Sequence, residues 1–168
     1  KEVAKDPDIA MATMAEYYEE RPPSQVVSIP EGSWGQGGFH WIWLNDWTTW
    51  TWKHIYRDEM LMREAASKYA GRDDEPLAQL LKQLARELVL LESSDWQFLI
   101  STWSARDYAE MRFTRHHEDF TYLLGLVNKA AAGEQLTIAE WEAYRGIAER
   151  DKVFENIEPK WWARVEHP

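Results

Sequence analysis

Six of the eleven tryptophans in this chain, Trp34, Trp41, Trp43, Trp47, Trp50 and Trp52, fall in one stretch, EGSWGQGGFHWIWLNDWTTWTW, residues 31–52. A core that needs only apolar volume is filled more simply by Leu, Ile or Val, which carry no N–H to satisfy. Indoles have another use. Sugar rings expose patches of C–H that stack on flat aromatic faces, worth about 1 kcal/mol per ring by analogy with other aromatic contacts, while nearby polar groups bind the hydroxyls. The competing role is to plug a bundle or staple the loop to it. That role suits Trp47, Trp50 and Trp52, which sit near the start of a predicted helix. Trp34, between Ser33 and Gly35 in a loop with no helical face to bury it, is expected to be exposed in a binding cleft.

Other constellations carry less. His116-His117-Glu118 has metal-binding residue types, but adjacent helical residues point about 100° apart, and neither His-x-x-x-His nor a Cys pair is present, so no metal is expected. Gly35-Gln36-Gly37-Gly38 lacks the Lys-Ser/Thr that completes a phosphate loop, and no G-x-S-x-G or dinucleotide fingerprint appears. No cofactor is expected. Glycoside chemistry uses two carboxylates flanking the scissile bond. The 29 acidic residues lie mostly on predicted solvent faces, and nothing marks such a pair. Asp95 stands out, between Ser93-Ser94 and Trp96-Gln97-Phe98 at a break between helices. It can cap a helix, contact a substrate, or do both.

The elements that must position these residues read as helices. Residues 8–20 form a helix stopped by Arg21-Pro22-Pro23. Val26 to Ile29 suit a short strand, and Gly32, Gly35, Gly37 and Gly38 make a loop. Asn45 or Asp46 caps a helix running to about Ala70, with Gly71 as its stop. Asp73 or Asp74 before Pro76 opens another, in which Leu77, Leu80, Leu81, Leu84, Leu88 and Leu91 repeat at helical spacing. Ser94 or Asp95 starts a short helix to about Ser101. Ser104 caps a long one from Ala105 to Ala132, closed by Gly133, and Thr137 with Glu140 forms the capping box of a last one ending near Val153. No alternating pattern is long enough for a sheet. The expected fold is all-α, a helical bundle over 1–168 as one domain, with a Gly/Trp-rich loop near its N-terminus.

Composition bounds the function. A formal net charge of -10 argues against a phosphate-tracking surface, so nucleic acid is not an expected partner. No apolar run approaches the roughly 18 residues of a membrane span, and no signal peptide is visible, so a soluble, cytoplasmic protein without a membrane partner is expected. With no cysteine there is neither disulfide nor thiol chemistry. The chain opens on Lys1 rather than Met, which suggests a piece of something longer.

Two separated stretches resemble one family. Pro30-Glu31-Gly32-Ser33-Trp34-Gly35-Gln36-Gly37-Gly38, followed by His40, Trp43, Leu44, Asn45 and Trp50, resembles a loop of the glycoside hydrolase family 57 1,4-α-glucan branching enzymes. Arg86-Glu87-Leu88 through Ser94-Asp95-Trp96-Gln97-Phe98, then Tyr108-Ala109, Arg112, His116 and Phe120, is similar to the C-terminal helical domain of that family. The resemblance implies a (β/α)7 barrel elsewhere in the polypeptide that carries a Glu nucleophile and an Asp acid/base, cleaving α-1,4 linkages and rejoining the cut chain at an α-1,6 branch. It implies that Trp34 and Trp43 line the glucan site, with His40, Asp95 and Trp96 also among the substrate-binding residues. No catalytic residue is expected within this chain, whose partners would be an α-1,4-glucan and the barrel of the same polypeptide. Phe39 and Trp41 stand where the family more often has polar or charged residues. A self-sufficient carbohydrate-binding module and a structural bundle that docks on another protein are the alternatives.

Overall fold

A computed structural model describes residues 3–163, and the chain divides into two compact units, one ending at Gly32 and one beginning at Ser33. In the first, α1 (Met14–Glu20) starts where Thr13 and Glu16 form a reciprocal capping box. It begins later than the spacing suggests, because the box fixes the start and leaves Ile9 and Met11 exposed ahead of it. Val26 to Ile29 forms no strand, and Val26, Val27 and Ile29 are all exposed. Among the described residues there is no strand for it to pair with.

The second unit is an all-α bundle of α2 (Thr49–Tyr69), α3 (Glu75–Leu91), α4 (Asp95–Thr102), α5 (Arg106–Ala131) and α6 (Ile138–Arg150), followed by a 3-10 turn over Pro159–Trp162. Its centre is α3, started by the Asp74 carboxylate accepting the Leu77 N–H at 3.1 Å and by Pro76 in the first turn. The six leucines named above are at most 1% exposed, each removal from water contributing about 2 kcal/mol as an upper estimate. They meet Phe113, Phe120, Leu123 and Val127 of α5, Ile55 and Met62 of α2, and Ile100 of α4 in one core. The 3-10 turn packs on α2 and α3.

Several helix ends follow local chemistry and others do not. Gly133, at φ 81°, closes α5: its N–H reaches the Ala130 carbonyl and that of Glu134 reaches Lys129, the paired bonds of a Schellman motif. Thr137 and Glu140 form the expected box. Ser104 does not cap α5; its hydroxyl bonds the Thr102 hydroxyl at 2.8 Å, because Trp103 takes a left-handed φ of 59° that turns the chain between α4 and α5.

Candidate functional site

Residues 33–48 form a loop closed on itself before it meets the bundle. The Ser33 N–H donates to the Gly38 carbonyl at 2.9 Å and the Ser33 hydroxyl accepts from the Gly35 N–H at 3.0 Å. Gly37 and Gly38 hold φ of 69° and 78°, a region L side chains rarely adopt. At Gly35 the constraint is contact, since a Cβ there would sit 2.8 Å from the Phe39 carbonyl oxygen and 3.3 Å from the Trp43 ring.

The second half of the loop is tied to two helices. The Asn45 amide donates to the Trp41 carbonyl and to the Ser101 hydroxyl of α4, each at 2.7 Å, and Ser101 donates to the Ile42 carbonyl at 2.6 Å. Asn45 caps a turn that precedes α2: its side chain accepts from the Trp47 N–H at 2.8 Å and its carbonyl from the Thr48 and Thr49 N–H groups. This turn is why α2 begins later than the Asn45/Asp46 signal suggests. The fully buried Thr48 donates to the Trp43 carbonyl at 2.9 Å, and so does the Trp52 indole.

This frame presents Trp34 at 75% exposure, edge-on to Trp43 with centroids 5.0 Å apart and tilted against Phe98 of α4 at 5.7 Å. Trp43 then forms part of a cavity of about 560 Å³ whose walls are His40, Trp43, Leu44, Trp52, Tyr56 and Ser94. The structure therefore brings Trp34, Trp43 and His40 into one neighbourhood. Asp95 lies one residue past Ser94 of the cavity wall, exposed, accepting from the Ser93 hydroxyl at 3.3 Å. It is the first residue of α4, behind Ser94, which holds the cap position without a side-chain capping hydrogen bond.

Trp96 lies in the bundle, away from the loop. It is 9% exposed, its indole donates to the Leu90 carbonyl at 2.8 Å, and its ring stacks on His116 at 6.1 Å. One residue beyond Asp95 on a helix is a rotation of about 100°, which carries this side chain into the bundle.

The anchoring role divides. Trp50 is half-buried and meets Phe113 edge-on at 5.0 Å, with its N–H on the Trp47 carbonyl, as a staple should. Trp47 remains 39% exposed, between Trp41 at 5.9 Å and Trp103 at 5.7 Å, and Arg106 lies over the Trp103 ring. Trp52 both anchors the loop and lines the cavity.

The two adjacent histidines diverge. His117 Nδ1 lies 2.6 Å from Asp58 of α2, whereas His116 Nδ1 lies 2.7 Å from Glu87 of α3. Arg112 can only donate, so His116 Nε2, 2.9 Å from Arg112 Nη2, accepts and Nδ1 carries the proton toward Glu87. Glu87, His116 and Asp151 bring ligand-type atoms within 4.8 Å of one another. A guanidinium already serves this group, Arg112 Nη2 also standing 3.6 Å from Asp151. The cluster is a buried ion-pair network, extended by Gln83 onto Glu87 and by Arg150 onto Asp151.

One carboxyl pair escaped notice in the sequence. Glu92, at the end of α3, is pushed up to about 7 by burial and by the neighbouring Glu59 of α2, with which it shares a hydrogen bond. Burial likewise raises Asp58, against the opposing effect of His117.

Residues 54–162 match the sequence family described as 1,4-alpha-glucan branching enzyme, C-terminal. The chain is 42% identical over 132 residues to 1,4-alpha-glucan branching enzyme TK1436 of Thermococcus kodakarensis, an alignment covering 78% of this chain and 19% of that protein. The crystal structure of TK1436 in complex with glucose and additives superposes with a TM-score of 0.80 at 34% identity, over 95% of this chain and 28% of that one. The GH57-type branching enzyme of Pyrococcus horikoshii gives a TM-score of 0.83 at 36% identity, over 96% of this chain and 30% of that one. The chain thus spans less than a third of the length of these relatives. With a family match over well more than half of its residues and the same helical architecture, the chain belongs to the C-terminal domain family of the glycoside hydrolase family 57 1,4-alpha-glucan branching enzymes.

Proposed function

We propose that this chain is the region of a cytoplasmic glucan branching enzyme that binds and positions the α-glucan chain for cleavage and α-1,6 transfer, as in glycogen biosynthesis. The catalytic carboxylates lie on a barrel of the same polypeptide, outside these residues, and the chain alone is inactive. The observation that carries this reading is the exposed Trp34 indole held edge-on to Trp43 by a closed glycine loop. An aromatic this exposed, on a backbone this constrained, gives little to the core and offers a fixed face to a sugar. His40 beside Trp43 and the exposed Asp95 carboxylate supply polar groups for hydroxyls. A preset platform lowers the entropy lost when a flexible polymer is fixed.

The test is a titration of the enzyme with maltoheptaose, followed by tryptophan fluorescence. Trp34→Ala should weaken binding about fivefold, the equivalent of one stacked ring, with the melting temperature essentially unchanged. Equal affinity for the two proteins would remove Trp34 from the glucan site.

A further inference from the structure

The cavity beside Trp43 has walls that the branching reading does not use. Trp52 and Tyr56 are four residues apart on α2, so their side chains share a face. Their rings lie 5.8 Å apart and 34° from parallel, forming one broad aromatic wall. Trp52 is fixed in that pose because its N–H is held by the Trp43 carbonyl at 2.9 Å. Tyr56 is 61% exposed, far more than a core aromatic. Trp43 and Leu44 of the loop and Ser94 of the α3–α4 turn line the same cavity.

We propose that this cavity is a glucosyl-binding subsite of its own, next to the Trp34 platform, and that Tyr56 and Trp52 form the wall on which the sugar ring stacks. The proposal rests on the glucan-binding reading above and extends it to residues that reading leaves idle. A volume of about 560 Å³ falls within the usual size of small-ligand sites. Predominantly apolar walls with a few polar groups, here His40, Ser94 and the Tyr56 hydroxyl, suit a pyranose, which has apolar faces and a polar rim. Trp43 is common to both places: its edge meets Trp34 and it lines the cavity. A polymer resting on Trp34 therefore has a continuous aromatic path into the cavity.

The test uses the barrel-containing enzyme with Tyr56→Ala, Tyr56→Phe and Trp34→Ala, measuring KM and kcat for amylose branching together with melting temperature. Tyr56→Ala should raise KM about fivefold with kcat and melting temperature unchanged, and Tyr56→Phe, which keeps the ring, should restore KM. If Tyr56→Ala leaves KM at the parent value while Trp34→Ala lowers branching, the cavity is no subsite and the platform reading stands. If both leave branching and KM at the parent values, the glucan-binding reading fails with it. If Tyr56→Ala lowers the melting temperature without moving KM, the cavity is filled by another part of the polypeptide and the proposal is overturned.

Discussion

The Trp43 carbonyl oxygen accepts the Trp52 indole N–H at 2.9 Å, and this bond couples the loop that carries the exposed Trp34 to the first long helix of the bundle. The same oxygen takes the Thr48 hydroxyl at 2.9 Å. Each donor supports the other, so their effects should not add. Trp52→Phe and Thr48→Val should each cost about 1 kcal/mol in urea unfolding. The double variant should depart from the sum by about 0.5 kcal/mol or more, since both act on one acceptor. Strict additivity would mean that the two bonds hold the loop independently.

Gly35 offers a sharper steric test. A Cβ at this position meets a backbone oxygen at 2.8 Å, which cannot move without shifting the loop and the Trp43 ring beside it. Gly35→Ala should therefore cost about 1–3 kcal/mol in thermal or urea unfolding and weaken maltoheptaose binding as well. Gly71→Ala, with open space around the site, should leave both near the parent values.

Trp34 and Trp96 differ sharply in burial, at 75% and 9% exposure. Trp96→Ala empties a core position and removes the donor to the Leu90 carbonyl, so it should cost about 3–5 kcal/mol. Trp34→Ala removes a ring that is 75% exposed and should cost well under about 1 kcal/mol. Chemical denaturation of the two variants reads the difference directly.

Much of the fold can be read along the chain because its signals are local. The leucine repeat of α3, the Asp74–Pro76 start and the Thr137–Glu140 box each work within a turn or two, and each forms the element its spacing indicates. The exposure of Trp34 is legible for a related reason, since it sits in a glycine-rich stretch that cannot support a helix. The cavity is different. His40, Trp43, Leu44, Trp52, Tyr56 and Ser94 come from a loop, a helix and a turn, and no period connects them. The Trp52/Tyr56 spacing was the one available signal, and it looks the same whether the aromatic face is buried or open. The burial of Trp96 beside the exposed Asp95 is equally hard to read, since one residue on a helix separates solvent from core. Ser104 has a capping residue's chemistry, but the left-handed Trp103 directs its hydroxyl to Thr102.

Stability should carry the signature of the Glu59–Glu92 pair. The Glu92 carboxyl is raised from 4.5 to about 7 in the folded protein, so between those pH values the native state binds more protons than the unfolded chain. Stability from this group is fully present below about pH 4.5 and is lost as pH rises through about 7. Glu92→Gln should remove that loss, so its advantage over the parent protein should grow from pH 5 to pH 8. Urea unfolding across this range checks it, and a difference independent of pH would show that Glu92 titrates normally.

The most direct measurement of the central claim is the ratio of branching to hydrolysis on amylose for the barrel-containing enzyme and its Trp34→Ala variant, with melting temperatures taken on the same preparations. A stacking indole holds the glucan for attack, and water needs no such platform. The variant should therefore branch several-fold less and shift toward hydrolysis, with its melting temperature within about 2 °C of the parent. A variant that melts many degrees lower with an unchanged ratio would show that Trp34 serves packing, and that the loop does not position glucan.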